Sequence, residues 1–168
     1  MTSLQNSTVQ FSIDRPFGVY FDDYFTQVYS LITGKNPNDF EFIHGVTPLS
    51  TRYEVVIALI TYFAVIFGGQ QLMENRPIIK LKFIFQLHNL LLTLSSLALL
   101  TLFAEQLFPI LSRNGIFYTV CNYDAWTRRL ELLYYLNYLV KYWELADTIF
   151  LVLRKKNLGK LDLLTVFD

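Results

Sequence analysis

The chain alternates between long apolar segments and short polar connections, and three of the segments have the length of a membrane-spanning helix. They cover residues 55–73, 83–104 and 132–153. The first contains no charged residue, and the second contains none apart from the titratable His88. Because about 20 predominantly apolar residues cross a bilayer as a helix, the pattern predicts three spans. The predicted fold class is all-α, with multi-pass membrane helices.

A shorter amphipathic helix is predicted before the first span. Apolar residues recur on one side of it at helical spacing, namely Phe17, Tyr20, Phe21, Tyr24, Val28, Leu31 and Ile32. Polar residues lie opposite, namely Asp22, Asp23, Gln27 and Ser30. Pro16 favours the first turn of a helix and Gly34 favours its end. We therefore expect a helix between them that lies at the membrane surface or against the other helices.

The connections between these helices are read from their proline, glycine and charged residues. Residues 35–52 are predicted to form a loop. Residues 107–120 are apolar but contain Pro109, Arg113 and Gly115, so an interfacial or re-entrant segment is expected there. Residues 1–14 are polar and lack the pattern of a cleavable signal peptide.

Composition supports a membrane protein. Apolar residues make up 53% of the chain and charged residues only 17%, against roughly 25% charged in soluble domains. The formal net charge is zero, which gives no general reason to expect a nucleic acid partner. The one cysteine, Cys121, excludes an intrachain disulfide, and His44 and His88 are too few and too far apart to indicate a metal site.

Basic residues near the span ends predict the orientation in the membrane. They concentrate in the first connection, with Arg76, Lys80 and Lys82, and after the third span, with Arg154, Lys155, Lys156 and Lys160. With three spans, these two segments lie on the same side, which we expect to be cytosolic. The N-terminus is then lumenal, where the glycosylation acceptor pattern that starts at Asn6 would be accessible.

The third predicted span carries a polar stripe that is the main candidate for a functional site. Steps of three and four residues place one set of side chains on the same helix face, namely Tyr134, Asn137, Lys141, Glu144 and Thr148, with Asp147 beside them. Glu144 follows Lys141 by three residues and is close enough to pair with it. Ionisable groups at membrane depth cost roughly 2.5–3.5 kcal/mol each on insertion scales and usually have a function. The alternative is a self-paired structural cluster that locks the helix against its neighbours.

The second predicted span has a polar face of its own. Gln86, Asn89, Thr93 and Ser96 share one face, with His88 and Ser95 next to it. If the two faces meet, a polar space lies between the second and third spans. Such a space would hold the head group of a ligand, and the apolar remainder would hold its tail. A single histidine on such a face is otherwise a packing residue.

Two of these segments resemble motifs of a known family. Residues 141–148, with Lys141, Glu144, Asp147 and Thr148, are similar to the K-x-x-E-x-x-D-T motif of the ELO fatty acid elongases. Leu87-His88-Asn89-Leu90 resembles the L-H-N element of that family. Further similarity lies in Arg15-Pro16-Phe17-Gly18, Leu31-Ile32-Thr33-Gly34, Glu105-Gln106-Leu107, Cys121-Asn122 and Ala125-Trp126-Thr127. These segments are most similar to the fungal very-long-chain branch.

The resemblance divides the chain into three parts. It covers residues 15–156, which are expected to form part of a seven-span elongase bundle around an acyl tunnel. A polar tail, residues 1–14, precedes this part, and a divergent tail, residues 157–168, follows it.

The resemblance also implies an activity. Such proteins are multi-pass enzymes of the endoplasmic reticulum that condense an acyl-CoA with malonyl-CoA to a 3-oxoacyl-CoA, as very-long-chain 3-oxoacyl-CoA synthases. They need no cofactor beyond these substrates. The implied partners are the lipid bilayer, another elongase chain and the ketoacyl reductase, dehydratase and enoyl reductase of the same cycle, which supplies sphingolipids.

One element of the family pattern is missing. The family has an H-x-x-H-H box soon after Lys155-Lys156, whereas this chain contains no histidine after His88. We therefore expect a truncated elongase that is inactive alone. By resemblance, Lys141, Glu144, Asp147 and Thr148 would form one side of the catalytic site, with His88 and Asn89 as secondary members.

Two other functions remain open from the sequence. The chain would serve as a non-catalytic scaffold subunit if it pairs with a full-length elongase. A lipid or proton carrier unrelated to elongases would also explain charges within a span, provided that the motif similarity is a coincidence.

Overall fold

The computed structural model of the protein describes Ser12, residues 16–77 and residues 81–154. These residues form four α-helices, named α1 (Phe21–Thr33), α2 (Arg52–Glu74), α3 (Lys82–Cys121) and α4 (Arg128–Leu153). The connections contain two short 3-10 turns, Pro37–Asp39 and Tyr123–Ala125. The all-α fold class is thus confirmed. The predicted polar tail 1–14, the Asn6 acceptor pattern and the divergent tail 157–168 lie outside the described residues, apart from Ser12.

Two of the helices in the described ranges, α2 and α3, are long and apolar enough to cross a membrane. They contain the first and second predicted spans. Helix α4 covers the third predicted span, residues 132–153, but its charged side chains Lys141, Glu144 and Asp147 make it less apolar than the other two. Its passage through the membrane stays a prediction from the sequence.

Helix α1 ends where the sequence predicts and begins later. Gly34 adopts a left-handed conformation with φ 70° and donates its N–H to the carbonyl of Ser30 at 2.8 Å, as expected for a glycine that ends a helix. The prediction that Pro16 lies in the first turn was wrong, because the helix begins at Phe21. Gly18, also at a positive φ of 73°, turns the chain between Pro16 and the helix.

Helix α3 extends through the segment that was expected to be interfacial or re-entrant. Pro109 lies inside the helix, so the prediction of a break at this proline was wrong. Proline removes one backbone hydrogen bond, and helices in membranes tolerate that loss because neighbouring groups compensate. The helical conformation is interrupted at Gly115, where φ is 79° and ψ is 170°. Glycine adopts this conformation without a steric penalty.

The chain divides into two compact units. The first holds the described parts of Met1–Phe42 and Ser95–Asn137, and the second holds those of Ile43–Leu94 and Tyr138–Asp168. Buried residues of the first unit include Leu99, Leu102, Leu130, Leu132 and Leu133. Those of the second include Ile66, Met73, Leu92 and Val152. Each unit is therefore built around its own group of aliphatic side chains.

In the second unit, α2 approaches α4 closely at Gly69. A Cβ atom added to Gly69 would lie 3.2 Å from Cγ1 of Val152, whereas one added to Gly68 would meet no atom within 4 Å. Small residues at helix crossings allow the backbones to approach in membrane proteins. Gly69 therefore fixes the contact between these two helices.

We expect the change Gly69→Leu to lower the thermal unfolding temperature of the detergent-solubilised protein. The larger side chain would overpack the contact with Val152, at a cost of about 1–3 kcal/mol. The matched control, Gly68→Leu, points into open space and gains helix propensity, so stability should be unchanged or higher. Equal shifts for the two variants would contradict the packing assigned to Gly69.

Candidate functional site

A buried histidine in the second unit lies against a carboxylate. The side chain of His88 on α3 is only 8% exposed, and its Nδ1 atom lies 2.7 Å from Oδ1 of Asp147 on α4. The sequence placed both residues among the candidates but did not pair them. The contact joins the helix that contains the L-H-N element to the helix that contains the K-x-x-E-x-x-D-T motif.

The geometry of this pair leaves the second ring nitrogen of His88 available. The distance between Nδ1 and Oδ1 is that of an ion pair, yet the two atoms do not meet the angular requirements of a hydrogen bond. We therefore treat the contact as an electrostatic one that orients the ring. The Nε2 atom is buried and has no hydrogen-bond partner among the described residues. A ring held on one side by a carboxylate presents its other nitrogen for proton exchange or hydrogen bonding.

Two aromatic rings also contact the imidazole of His88. The rings of Trp143 and Phe150, both on α4, meet His88 edge to face at centroid distances of 5.6 and 5.2 Å. Phe150 also contacts Phe85 on α3 at 6.1 Å. These contacts hold the imidazole in an apolar setting, where an electrostatic interaction with a carboxylate is stronger than in water.

A second charged pair, Lys141 and Glu144, lies on the same helix, α4. Nζ of Lys141 donates to both carboxylate oxygens of Glu144 at 2.9 Å, which confirms the predicted pairing. The side chain of Lys141 is 62% exposed and that of Glu144 is 37% exposed. The ammonium group is thus neutralised by its neighbour but remains accessible, as a group that binds an anionic ligand must be.

The other predicted site residues are distributed differently from the two facing polar stripes that the sequence suggested. Gln86 and Thr93 are exposed, whereas His88 and Leu92 are buried, so the face of α3 that packs in the second unit is the one with His88. Asn89 is half-buried, and its carbonyl accepts from the Thr93 hydroxyl at 2.8 Å. The prediction that the stripe with Gln86 and Thr93 faces the third span was wrong, because helical spacing identifies a common face but not its direction.

The remaining residues of the α4 stripe are found in both units. Thr148 is half-buried in the second unit. Tyr134 and Asn137 belong to the first unit and are exposed. There, the ring of Tyr134 stacks on Trp126 at 4.9 Å. The predicted stripe is therefore described in two parts, of which the part from Lys141 to Thr148 lies in the unit of His88.

Sequence reasoning missed a pair of tyrosines in the second unit. The hydroxyl groups of Tyr138 and Tyr142 on α4 lie 2.8 Å apart, and that of Tyr138 donates to the carbonyl of Leu49 at 3.1 Å. The pair connects α4 to the loop before α2. Their spacing of four residues was the available signal, but the apolar pattern of the segment concealed it.

A buried polar cluster in the first unit was also missed. Glu105 on α3 is 1% exposed, and its two carboxylate oxygens accept from the backbone N–H groups of Phe21 and Asp22 at 2.8 and 2.9 Å. Helix α1 has no side-chain cap of its own, so Glu105 caps it from a distant part of the chain. A carboxylate at a helix N-terminus is favoured by the exposed N–H groups and by the helix dipole.

An arginine also holds α1 in place through two of its side chains. Nη2 of Arg129, at the start of α4, donates to Oδ2 of Asp22 at 2.6 Å and also contacts the hydroxyl of Thr26. Its guanidinium lies over the ring of Phe25 at 5.5 Å. Sequence reasoning identified Glu105 only within a segment similar to the family and did not single out Arg129, because their partners are distant in the chain. In three dimensions they attach α1 to α3 and α4.

We expect Arg129→Met to release α1 from the first unit. Removal of one partner from a buried ion pair costs about 3–5 kcal/mol because the other charge stays buried. Backbone amides of α1 should then exchange with deuterium much faster, as hydrogen-exchange mass spectrometry would detect. The control is Arg128→Met, which removes the adjacent exposed arginine. Unchanged exchange in Arg129→Met would argue against this attachment.

We expect Asp147→Asn to destabilise the protein more than Glu144→Gln. Both carboxylates are 37% exposed, so the difference comes from their partners, a buried histidine and an exposed lysine. Loss of the charge beside His88 should cost about 1–3 kcal/mol, whereas an exposed ion pair contributes less than about 1 kcal/mol. Thermal unfolding in detergent measures both. The reverse order would remove the structural role assigned to Asp147.

No group of three or more His, Cys, Asp or Glu residues within residues 16–77 and 81–154 is arranged to hold a metal ion. Four of the charged and titratable side chains of the second unit instead form two separate pairs, His88 with Asp147 and Lys141 with Glu144.

Comparison with known proteins identifies the family to which the chain is related. Residues 47–167 match the family model described as ELO: GNS1/SUR4 family. A protein of Schizosaccharomyces pombe named "Putative fatty acid elongase 1" is 47% identical over 148 residues, which are 88% of this chain and 44% of that protein. No solved structure gives a significant match.

Relatives from other organisms have similar names. "Fatty acid elongase sre1" of Dictyostelium discoideum is 32% identical over 120 residues, covering 70% of this chain and 45% of that protein. "Very long chain fatty acid elongase 6" of Drosophila melanogaster is 39% identical over 99 residues, covering 58% and 31%. The chain spans less than half the length of each of these relatives. With a family match that covers more than half of its residues, the chain belongs to the ELO (GNS1/SUR4) family of fatty acid elongases.

Proposed function

We propose that this chain forms part of the active site at which an elongase condenses a very-long-chain acyl-CoA with malonyl-CoA to a 3-oxoacyl-CoA. The observation that carries the proposal is the buried imidazole of His88 against Asp147 in the same unit as the Lys141–Glu144 pair. The names of the relatives support the elongase activity. The L-H-N element, which contains His88, and the K-x-x-E-x-x-D-T motif would then contribute to one site.

The reaction determines what these side chains have to do. Decarboxylation of malonyl-CoA leaves an enolate, which attacks the carbonyl carbon of the acyl thioester and displaces CoA. Negative charge therefore develops on thioester oxygens, and positive charge or N–H donors aimed at those oxygens lower the barrier. The malonyl carboxylate and the CoA phosphates also need a cation when they bind.

The residues have separate roles in this proposal. Lys141 stabilises anionic groups of the substrates, and Glu144 holds its ammonium group in place. Asp147 orients His88, whose imidazolium form donates from Nε2 to a thioester oxygen. Asn89 and Thr148 are secondary polar members of the site. Support comes from the 2.9 Å contacts of Lys141 and from the buried, unpartnered Nε2 of His88 among the described residues.

The 168 residues by themselves are proposed to be inactive. The chain contains only two histidines, His44 and His88, and the histidine box that the resemblance implies is not among its residues. Lys141 and Glu144 supply charge but no nucleophile–base pair. We propose that the remaining catalytic groups correspond to residues of the longer relatives that lie outside their match to this chain.

The location proposed for this activity is the membrane of the endoplasmic reticulum. The basic residues Arg76, Lys82 and Arg154 near the helix ends favour a cytosolic position for those ends. The N-terminus is then lumenal. The 3-oxoacyl-CoA product would pass to the reductase, dehydratase and second reductase of an elongation cycle that supplies sphingolipids.

We expect membranes that carry only this chain to form no 3-oxoacyl-CoA above a blank when given acyl-CoA and labelled malonyl-CoA. When the chain replaces the matching segment of its S. pombe relative, product should form, with the unaltered relative as positive control. In that chimera, Lys141→Met should reduce the condensation rate by about 10²-fold or more because a charge-stabilising group is lost. Lys35→Met, at an exposed residue outside the second unit, is the matched control.

Each part of the proposal has an outcome that contradicts it. Product from the chain alone would show that the 168 residues are sufficient. An inactive chimera beside an active relative would show that this chain does not form a condensation site. Full activity of Lys141→Met in an active chimera would remove that lysine from the site.

A further inference from the structure

Helix α1 has three distinct faces. One face is attached to the first unit through Asp22, Phe25 and Thr26. At about 100° per residue, a second face carries the polar residues Asp23, Gln27 and Ser30, all exposed. A third face is apolar and consists of Tyr24, Val28, Leu31 and Ile32. The attached face is thus largely polar, and one of the two exposed faces is apolar.

The apolar face is more exposed than expected for a protein in water. Its four side chains are 54–86% exposed. They are contiguous because Tyr24 lies four residues before Val28, and Leu31 and Ile32 lie three and four residues after it. The ring of Phe21 extends this face and packs edge to face on Phe17 at 6.0 Å. Contiguous apolar patches of this kind indicate a contact with lipid or with another protein.

The depth of α1 follows from its attachment to α3. Glu105, which binds the first two amides of α1, is the first residue after the predicted span 83–104. By that prediction of the span end, the N-terminus of α1 lies at the level where the apolar span leaves the hydrocarbon. With 13 residues, α1 is about 20 Å long, too short to cross a hydrocarbon core of about 30 Å. A helix of this length at this level fits the plane of the interface.

The charges of α1 indicate which lipids it contacts. The helix contains no lysine or arginine, and of its two acidic residues only Asp23 is exposed. Attraction to anionic head groups, which depends on basic residues, is therefore absent. The remaining contribution is burial of apolar surface, which needs no anionic lipid. Because the exposed carboxylate of Asp23 is repelled by anionic head groups, a zwitterionic leaflet is favoured.

We propose that α1 is an interfacial helix whose apolar face enters the outer part of a zwitterionic phospholipid leaflet while its polar face meets water. Glu105 and Arg129 hold it at that depth. The proposal rests on the membrane-spanning character of α3 and is independent of the condensation activity. It concerns a helix that lies before the part of the chain matched by the family model, residues 47–167.

Site-specific fluorescence quenching tests this arrangement in the full chain. Cys121 is exposed and would react, so the background carries Cys121→Ser. An environment-sensitive dye is attached to cysteine at Leu31 on the apolar face or at Ser30 on the polar face, after reconstitution into phosphatidylcholine nanodiscs. Phosphatidylcholine with a nitroxide near the head group should quench the dye at position 31 about threefold more than at position 30. Iodide in the buffer should show the opposite preference.

A second pair of positions protects the test against a single misfolded variant. Val28 and Gln27 lie one turn earlier on the same two faces, and the same contrast is expected there. Four results would overturn the proposal. Three of them are quenching at positions 28 and 31 by iodide alone, protection of both from lipid and iodide as a protein partner would cause, and stronger quenching by a nitroxide at the acyl chain end. The fourth is loss of contrast at both pairs.

Discussion

Lipid offers no hydrogen bonds, so a polar group carried into a membrane by an apolar helix must find its partner within the protein. The charged and polar groups of this chain follow that constraint closely. Glu105 accepts two backbone amides, Arg129 pairs with Asp22, and His88 lies against Asp147. Each of these interactions connects elements that are distant in the chain. Polar pairing therefore determines which helices meet, while the aliphatic side chains fill the space between them.

The polar groups have different roles in the two units. In the first, Glu105 and Arg129 are buried and their partners are backbone amides and side chains of α1, so the polar groups serve attachment. In the second, the Lys141–Glu144 pair is partly exposed and the Nε2 atom of His88 is unpartnered among the described residues. Groups that are accessible or incompletely paired are those expected at a ligand site. Buried atoms without a hydrogen-bond partner occur in the first unit as well, at Asp22 Oδ1 and Arg129 Nη1, so the accessible Lys141–Glu144 pair is the physical reason for placing chemistry in the second unit.

Much of the fold was predictable because it depends on local pattern. The length of α2, the end of α1 at Gly34 and the pairing of Lys141 with Glu144 all follow from residues close in sequence. The attachment of α1 was not predictable, because Glu105 contacts residues more than 80 positions away. The face of α3 that carries His88 was misassigned for the same reason. Periodicity groups side chains on a face, but the neighbouring helix determines which face it covers.

Pro109 gives α3 a mechanical property at the point where α1 is attached. A proline has no N–H to donate to the carbonyl four residues earlier, and here that carbonyl belongs to Glu105. The residue that holds α1 by its side chain thus lacks, at its own carbonyl, the helical hydrogen bond that Pro109 would have supplied. Bending is easiest at such a position. Because the side chain of Glu105 binds the first amides of α1, the N-terminal helix is attached at the position of α3 where the helical hydrogen bonding is weakest.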